Sequence, residues 1–221
     1  MSVPPLVLTC GDPAGIGPEI AVKAWAYGDV EPFLWLGDPR HLPPGTKVSE
    51  IADPAETAQA ARHGLPVLRH DFPHPTTPSQ PDPANASAVV AVIERAVTLV
   101  QEGQAAGITT APISKKVLIE GAGFAFPGHT EFLAQLGGSG PVAMMLACPE
   151  LRVVPTTIHI PLNDVASALT PALLETTLRT THHALIQDFG VKEPRIAVAG
   201  LNPHAGEGGA MGQEDDQIIA P

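Results

Sequence analysis

LVLTCGDPAGIGPE, Leu6 to Glu19, opens on an apolar strand-like run, turns through glycine and proline, and passes into residues Pro18 to Trp25, which read as a helix with proline in its first turn. Strand, turn and helix then recur along the chain. Phe33–Leu36 reads as a strand, Pro54–His63 as a helix and Leu65–Leu68 as a strand. The five prolines of Asp71–Pro83 form an extended connector, and Asn85 or Ser87 is expected to cap an amphipathic helix reaching Glu102. Gly107–Thr110 reads as a strand, followed by a helix to about Ala122; Val142–Ala147 and Arg152–Thr157 read as consecutive strands; Pro171–Phe189 is the longest helix, and Arg195–Ala199 leads into a glycine-rich loop. This alternation predicts α/β architecture, a mostly parallel sheet covered on both faces, with ligands gathered at the carboxyl ends of the strands.

Composition narrows the function. The chain has 221 residues, 44% of them hydrophobic and 16% charged, enough apolar material for a substantial core. Its formal charge of -11 and scattered Lys and Arg exclude a nucleic-acid surface. An anionic ligand must then be held by local devices: helix N-termini, a few lysines or a cation. Cys10 and Cys148 offer no CxxC pair and read as reduced core thiols. The opening lacks a basic n-region and no later run approaches a membrane span, so a cytoplasmic protein is expected.

Several motifs fall in the loops at strand ends. GDPAGIGPE (11–19) has neither the GxGxxG nor the GxxxxGK[ST] spacing, and is either a plain turn or an anion-accepting helix start. Thr130 reads as an N-cap beside His129, giving either an ordinary capped helix or a phosphate contact. Lys115 and Lys116 sit at a helix start, where a cation opposes the helix dipole; an anionic ligand or simple solvation accounts for them. His159 and His204 each follow a strand and suit a divalent ion, although two ligands are fewer than the three usual in an open catalytic site. His182 and His183 read as structural, with His182 near the buried stripe of its helix, while His41, His63, His70 and His74 read as solvated loop residues. Gly208 and Gly209 serve loop flexibility, and Glu214, Asp215 and Asp216 suit a helix's first turn.

Taken together, GDPAGIGPE (11–19), TTAPISK (109–115), GHTEF (128–132), TTIHIPL (156–162) and GLNPHAGEGGAMGQED (200–215) resemble, in order and spacing, the 4-hydroxythreonine-4-phosphate dehydrogenase family of pyridoxal phosphate biosynthesis. Ser114 stands where some relatives carry histidine. The resemblance implies an isocitrate/isopropylmalate-dehydrogenase-like fold of two α/β/α domains with a cleft between them, expected at 1–122 and 123–221, both incomplete, and a homodimer. It implies that His129 and Thr130 hold a small phosphorylated hydroxy amino acid, and that His159 and His204 are two of three metal-binding histidines, the third lying in a Tyr-His-Asp segment of longer relatives. The chemistry implied is oxidation by NAD or NADP with a divalent metal (Zn, Mg or Co), followed by decarboxylation; no general base is assigned. A paralogue acting on threonate or erythronate 4-phosphate, or a non-catalytic ligand-binding fragment, is the alternative. The end at 214–221 breaks off as a helix begins, as expected of a chain lacking the carboxyl-terminal third, so the fragment itself is expected to be inactive.

Overall fold

The computed structural model describes residues 3–138 and 140–221. The chain divides into two compact units, the first ending at Gly138 and the second running to Pro221.

In the first unit, β1 (Leu6–Thr9), β2 (Phe33–Gly37), β3 (Val48–Ile51), β4 (Leu65–Arg69) and β5 (Gly107–Thr110) form one parallel sheet in the order β3-β4-β2-β1-β5. Leu34, Trp35 and Leu36 are successive residues of β2 and all are fully buried, so both faces of the central strand are covered. That is why the inner strands read as continuous apolar runs rather than as alternating ones. Helix α1 (Gly17–Tyr27) ends at Gly28 in the left-handed conformation. The region expected as one helix at Pro54–His63 is a single tight turn followed by the short α2 (Thr57–Ala60), and β3, at the sheet edge, was not anticipated. Its VSEI sequence carries two polar residues, Ser49 and Glu50, and resembles a surface turn more than a core strand.

Helix α3 (Ala86–Gln101) buries Val89, Val92, Ile93, Ala96 and Leu99 along one stripe. Pro83–Gln101 is long and apolar enough to cross a membrane by length and composition, but that stripe is packed into the core of the first unit. The preceding turn is capped by Asp82, whose carboxylate accepts from the Ala84 amide at 2.9 Å, and not by Asn85 or Ser87. Asn85 is buried and holds the His74 backbone instead, accepting from its amide and donating to its carbonyl. Helices α4 (Lys115–Ala122) and α5 (His129–Gly137) follow. The first unit extends past the expected joint at 122 because Phe124 and Phe132 are buried in its core and pack edge-on, with Phe126 against both.

The second unit is sparser. Of the strands expected at 142–147 and 152–157, only β6 (Leu146–Ala147) and β7 (Arg152–Val153) pair, antiparallel, and Arg195–Ala199 enters no regular element. Helix α6 (Val165–Ala168) precedes α7 (Pro171–Gln187), whose cap is Thr170 accepting from the Leu173 amide. Among the described residues of this unit, Leu169 and Leu174 are the only buried apolar side chains. Cys148, expected in a core, is exposed, as are His182 and His183; Leu174 and Thr181 are the buried residues of α7.

Candidate functional site

The first unit brings three of its loops together. β1 and β5 are adjacent and parallel, so the turn after β1 and the segment after β5 leave the sheet side by side, and the Asp12 amide donates to the Pro112 carbonyl at 2.8 Å. Gly11 makes that approach possible: its φ is +66°, and a Cβ there would collide with the Pro112 carbonyl. Asp12 folds back to accept from the Ala14 amide at 2.9 Å, which closes the turn. The Asp71–Pro83 connector straps over it, the Ser79 amide donating to the Ala14 carbonyl and the Thr76 hydroxyl to the Pro13 carbonyl.

Lys115 opens α4, and its Nζ lies 3.9 Å from where a Cβ on Gly128 would stand. Gly128 is the residue before α5, extended, with no side chain capping the helix; Thr130, expected as the cap, lies inside the first turn and is exposed. Lys115 has no ion-pair partner among the described residues, whereas Lys116 pairs with Glu120 at 3.9 Å. His129 is half-buried, and its Nε2 is buried without a hydrogen-bond partner. Burial pushes the imidazole below its ordinary pKa, so it is held neutral near pH 7. An ammonium without an ion pair, open helix amides and an unsatisfied ring nitrogen share one helix start with the Glu131 carboxylate, whose Oε2 stands 3.6 Å from the same Gly128 position; the first three suit an anion such as phosphate.

In the second unit, His159 and His204 are exposed, and both hold left-handed backbone, with φ of 57° and 53°. Ala205 and Glu207 share that conformation. Side chains rarely adopt it, and it persists where surrounding bonds enforce it. Next to the 204–207 stretch the neighbouring clamp is Asp215. Its carboxylate is buried and accepts from the Leu201 and Asn202 amides at 2.8 and 3.0 Å, pinning the start of the loop that presents His204. Those amide bonds, that of Asn202 above all, hold its carboxyl below the usual range. The Asn202 side chain donates to Glu214 at 2.8 Å, closing the loop's other end. Asp215 and Asp216 lie in the first turn of the short helix Asp215–Ile219, as expected from sequence, and Asp215 is in addition a loop clamp, a role that its position gave no sign of. Among the described residues no three His, Cys, Asp or Glu side chains group to hold a metal. The donor chemistry of two imidazoles suits a divalent ion, but the number is one short of an open catalytic site, and no catalytic step is routed through it.

The family model described as "Pyridoxal phosphate biosynthetic protein PdxA" matches residues 30–221. The chain belongs to the PdxA family. It is 58% identical over 221 residues to the 4-hydroxythreonine-4-phosphate dehydrogenase of Paracoccus denitrificans (strain Pd 1222), covering 98% of this chain and 67% of that one. The crystal structure of the Klebsiella pneumoniae 4-hydroxythreonine-4-phosphate dehydrogenase shares its fold with a TM-score of 0.90 at 34% identity, over 98% of this chain and 70% of that one. A terephthalate 1,2-cis-dihydrodiol dehydrogenase from Burkholderia xenovorans LB400 shares it at TM-score 0.62 and 28% identity, covering 98% and 67% of the two chains. The α/β architecture of the isocitrate/isopropylmalate-dehydrogenase-like class is thereby the PdxA fold, and the PdxA proteins are oxidoreductases of pyridoxal phosphate synthesis.

Proposed function

We propose that this PdxA chain carries the phosphate-recognition half of a 4-hydroxythreonine-4-phosphate dehydrogenase site. One observation carries the reading: an unpaired Lys115 ammonium beside the open N-terminus of α5, where the His129 ring nitrogen has no partner. Lys115 and the α5 amides neutralise the phosphate, while neutral His129 and the exposed Thr130 hydroxyl supply hydrogen bonds without adding charge. In a chain of net charge -11 such local attraction is needed.

The reaction is oxidation of the C3 hydroxyl of 4-phosphohydroxy-L-threonine: the hydroxyl proton is released, hydride passes to NAD or NADP, and the resulting β-keto acid loses carbon dioxide to give 3-amino-2-oxopropyl phosphate. His159 and His204 are the two ligands this chain offers to a divalent ion (Zn, Mg or Co). A cytoplasmic homodimer belongs to the same reading. The dihydrodiol dehydrogenase neighbour favours a second substrate assignment within the fold, because one scaffold there serves a non-amino-acid diol, so threonate or erythronate 4-phosphate is the competing ligand.

Calorimetric titration of the chain with 4-phosphohydroxy-L-threonine tests the site. Lys115→Gln and His129→Ala are each expected to weaken binding about tenfold, the scale of one hydrogen bond to a charged group, and His63→Ala to leave it unchanged. Equal effects of all three variants would remove Lys115 and His129 from the site. Metal-dependent NADH formation by the same preparation is expected to be absent, and robust turnover would show that two histidines suffice.

A further inference from the structure

The Asp71–Pro83 strap is exposed for most of its length, yet its base is tightly held. There the His74 amide donates to Asn85 Oδ1 at 3.0 Å, and the His74 carbonyl accepts from Asn85 Nδ2 at 3.1 Å and meets His41 Nε2 at 3.0 Å. Asn85 is 1% exposed. A carboxamide presents acceptor and donor side by side, so one neutral side chain closes both bonds with one backbone residue, and burial makes either bond costly to lose. Beyond this base only two bonds tie the strap to the turn after β1: the Thr76 hydroxyl donates to the Pro13 carbonyl at 3.1 Å, and the Ser79 amide to the Ala14 carbonyl at 2.8 Å. That turn in turn holds the Pro112 carbonyl through the Asp12 amide, just ahead of α4. The strap's far end bears on the same helix, because a Cβ on Gly121 would collide with the Pro83 carbonyl. Asp12, Asn85 and Ser114 border one small cavity, where turn, strap base and helix start meet. Ser114 makes no side-chain cap bond, so the start of α4 takes its placement from these neighbours.

We propose that Asn85 is a positioning residue for the anion site: by fixing the strap at His74 it sets the start of α4, and with it the Lys115 ammonium against the open end of α5. The proposal rests on the phosphate-recognition reading of Lys115 and His129. Asn85 acts through the strap and not on a ligand, since its buried carboxamide is engaged with His74 through both oxygen and nitrogen. Lysine needs such help more than most cations do. Its ammonium is a point charge on a flexible stem, so the backbone from which it departs decides how much of its attraction reaches the ligand.

The test titrates the 221-residue chain with 4-phosphohydroxy-L-threonine by calorimetry and follows hydrogen exchange in the same variants. Asn85→Ala is expected to weaken binding about tenfold, as loss of Lys115 does, and Thr76→Val, which removes one strap bond and keeps the proposal testable should Asn85→Ala lower stability, about threefold. Thr76→Ser retains the hydroxyl and should restore the parent's affinity. Thr46→Val is the matched control: that hydroxyl also donates to a proline carbonyl, Pro43 at 2.6 Å, but it precedes β3, at the opposite edge of the parallel sheet from the strap. It should leave binding unchanged. The deciding measurement is coupling. In a Lys115→Gln background neither Asn85→Ala nor Thr76→Val should weaken binding further, because the strap acts through Lys115, whereas a strap that only stabilises the fold would cost the same in both backgrounds. Exchange at 113–118 is expected to quicken in both variants. Additive losses, failure of Thr76→Ser to restore binding, or unchanged exchange at 113–118 would overturn the proposal. If the parent chain does not bind the phosphorylated ligand, the phosphate-recognition reading fails and exchange at 113–118 alone decides: quickened exchange supports the strap's hold on the start of α4, and unchanged exchange refutes it.

Discussion

Leu6–Thr9 in the first unit and Arg195–Ala199 in the second are short apolar runs, each leading into a glycine-rich loop that carries candidate site residues. Leu6–Thr9 is hydrogen-bonded on both sides, and Val7 is fully buried between sheet faces. Arg195–Ala199 pairs with nothing among the described residues, and Val198 stands 43% exposed. The difference teaches that a strand is a relation between segments. Local propensity proposes it, but hydrogen-bond partners and covering helices decide it.

The largest effect that sharpens this contrast is in the cores. Leu34→Ala, at a fully buried position in β2, is expected to lower the unfolding free energy of the first unit by about 2–5 kcal/mol, while Val198→Ala should cost under about 0.5 kcal/mol. Trp25 and Trp35 both lie in the first unit, so urea titration followed by tryptophan fluorescence reads that unit alone, and hydrogen exchange reads the second. A cost at Val198 equal to that at Leu34 would break the comparison, because it would mean that the second unit has a core of its own.

A smaller effect concerns polar burial, which the first unit achieves and the second shows mainly at Asp215. The Asp38 side chain is fully buried; burial alone would raise its pKa, but hydrogen bonds from the Arg40 guanidinium and from the Phe72 and Arg40 amides outweigh this and hold it at about 2, against an ordinary 3.8. The folded-state value is depressed, so the stabilisation is complete above pH 3.8 and is lost as pH falls from there towards about 2. The shift corresponds to about 2 kcal/mol. Asp38→Asn is expected to remove roughly that amount at pH 7 and to flatten the acid limb of the first unit's stability between pH 4 and 2. An acid limb unchanged by the substitution would assign the loss to other carboxylates.

What sequence revealed follows the same division. The strands β1, β2 and β4 were legible because each is an apolar run bounded by turn residues, and α3 because its apolar stripe is unbroken; β5, GITT, was legible as a strand but, read as buried, lies at the sheet end with no residue buried. Strand β3 was not, since an edge strand need not be apolar. One signal was present and unread: Asp12, Asp38, Asp53 and Asp82 each precede a proline, and each carboxylate accepts from the amide two residues on. The dipeptide suits that turn because proline fixes φ while the acid supplies the acceptor. In the candidate site, the identities of His129, Lys115, His159 and His204 were legible as chemistry-bearing loop residues. Their support was not: the approach of Lys115 to Gly128 and the clamp from Asp215 to Leu201 are tertiary contacts with no local pattern.

The smallest effect tests whether burial in the first unit reaches its histidines, which sequence placed in solvent. His41 is buried, packs edge-on against Phe72 at 4.9 Å between ring centroids, and meets the His74 carbonyl through Nε2 at 3.0 Å. Since a carbonyl only accepts, Nε2 carries the proton, and Nδ1 is left as a buried nitrogen with no partner. Protonating Nδ1 would bury a charge whose new N–H has no acceptor, and this burial holds the His41 pKa below its ordinary 6.5. The unfolded chain therefore takes up the proton first, and stability that is complete above pH 6.5 is lost as pH falls below it. One proton limits the slope to about 1.4 kcal/mol per pH unit. His70, also depressed by burial and next by Arg95, adds to the same limb, so the informative variant is His41→Gln, which retains a donor for the His74 carbonyl and cannot titrate. Urea titrations of the first unit at pH 7, 6 and 5 should show a shallower decline in His41→Gln than in the parent, and a still shallower one when His70→Gln is added. If the parent's stability is flat across that range, His41 is solvated in solution, and the contrast between a closed first unit and an open second one weakens at the edge of the strap.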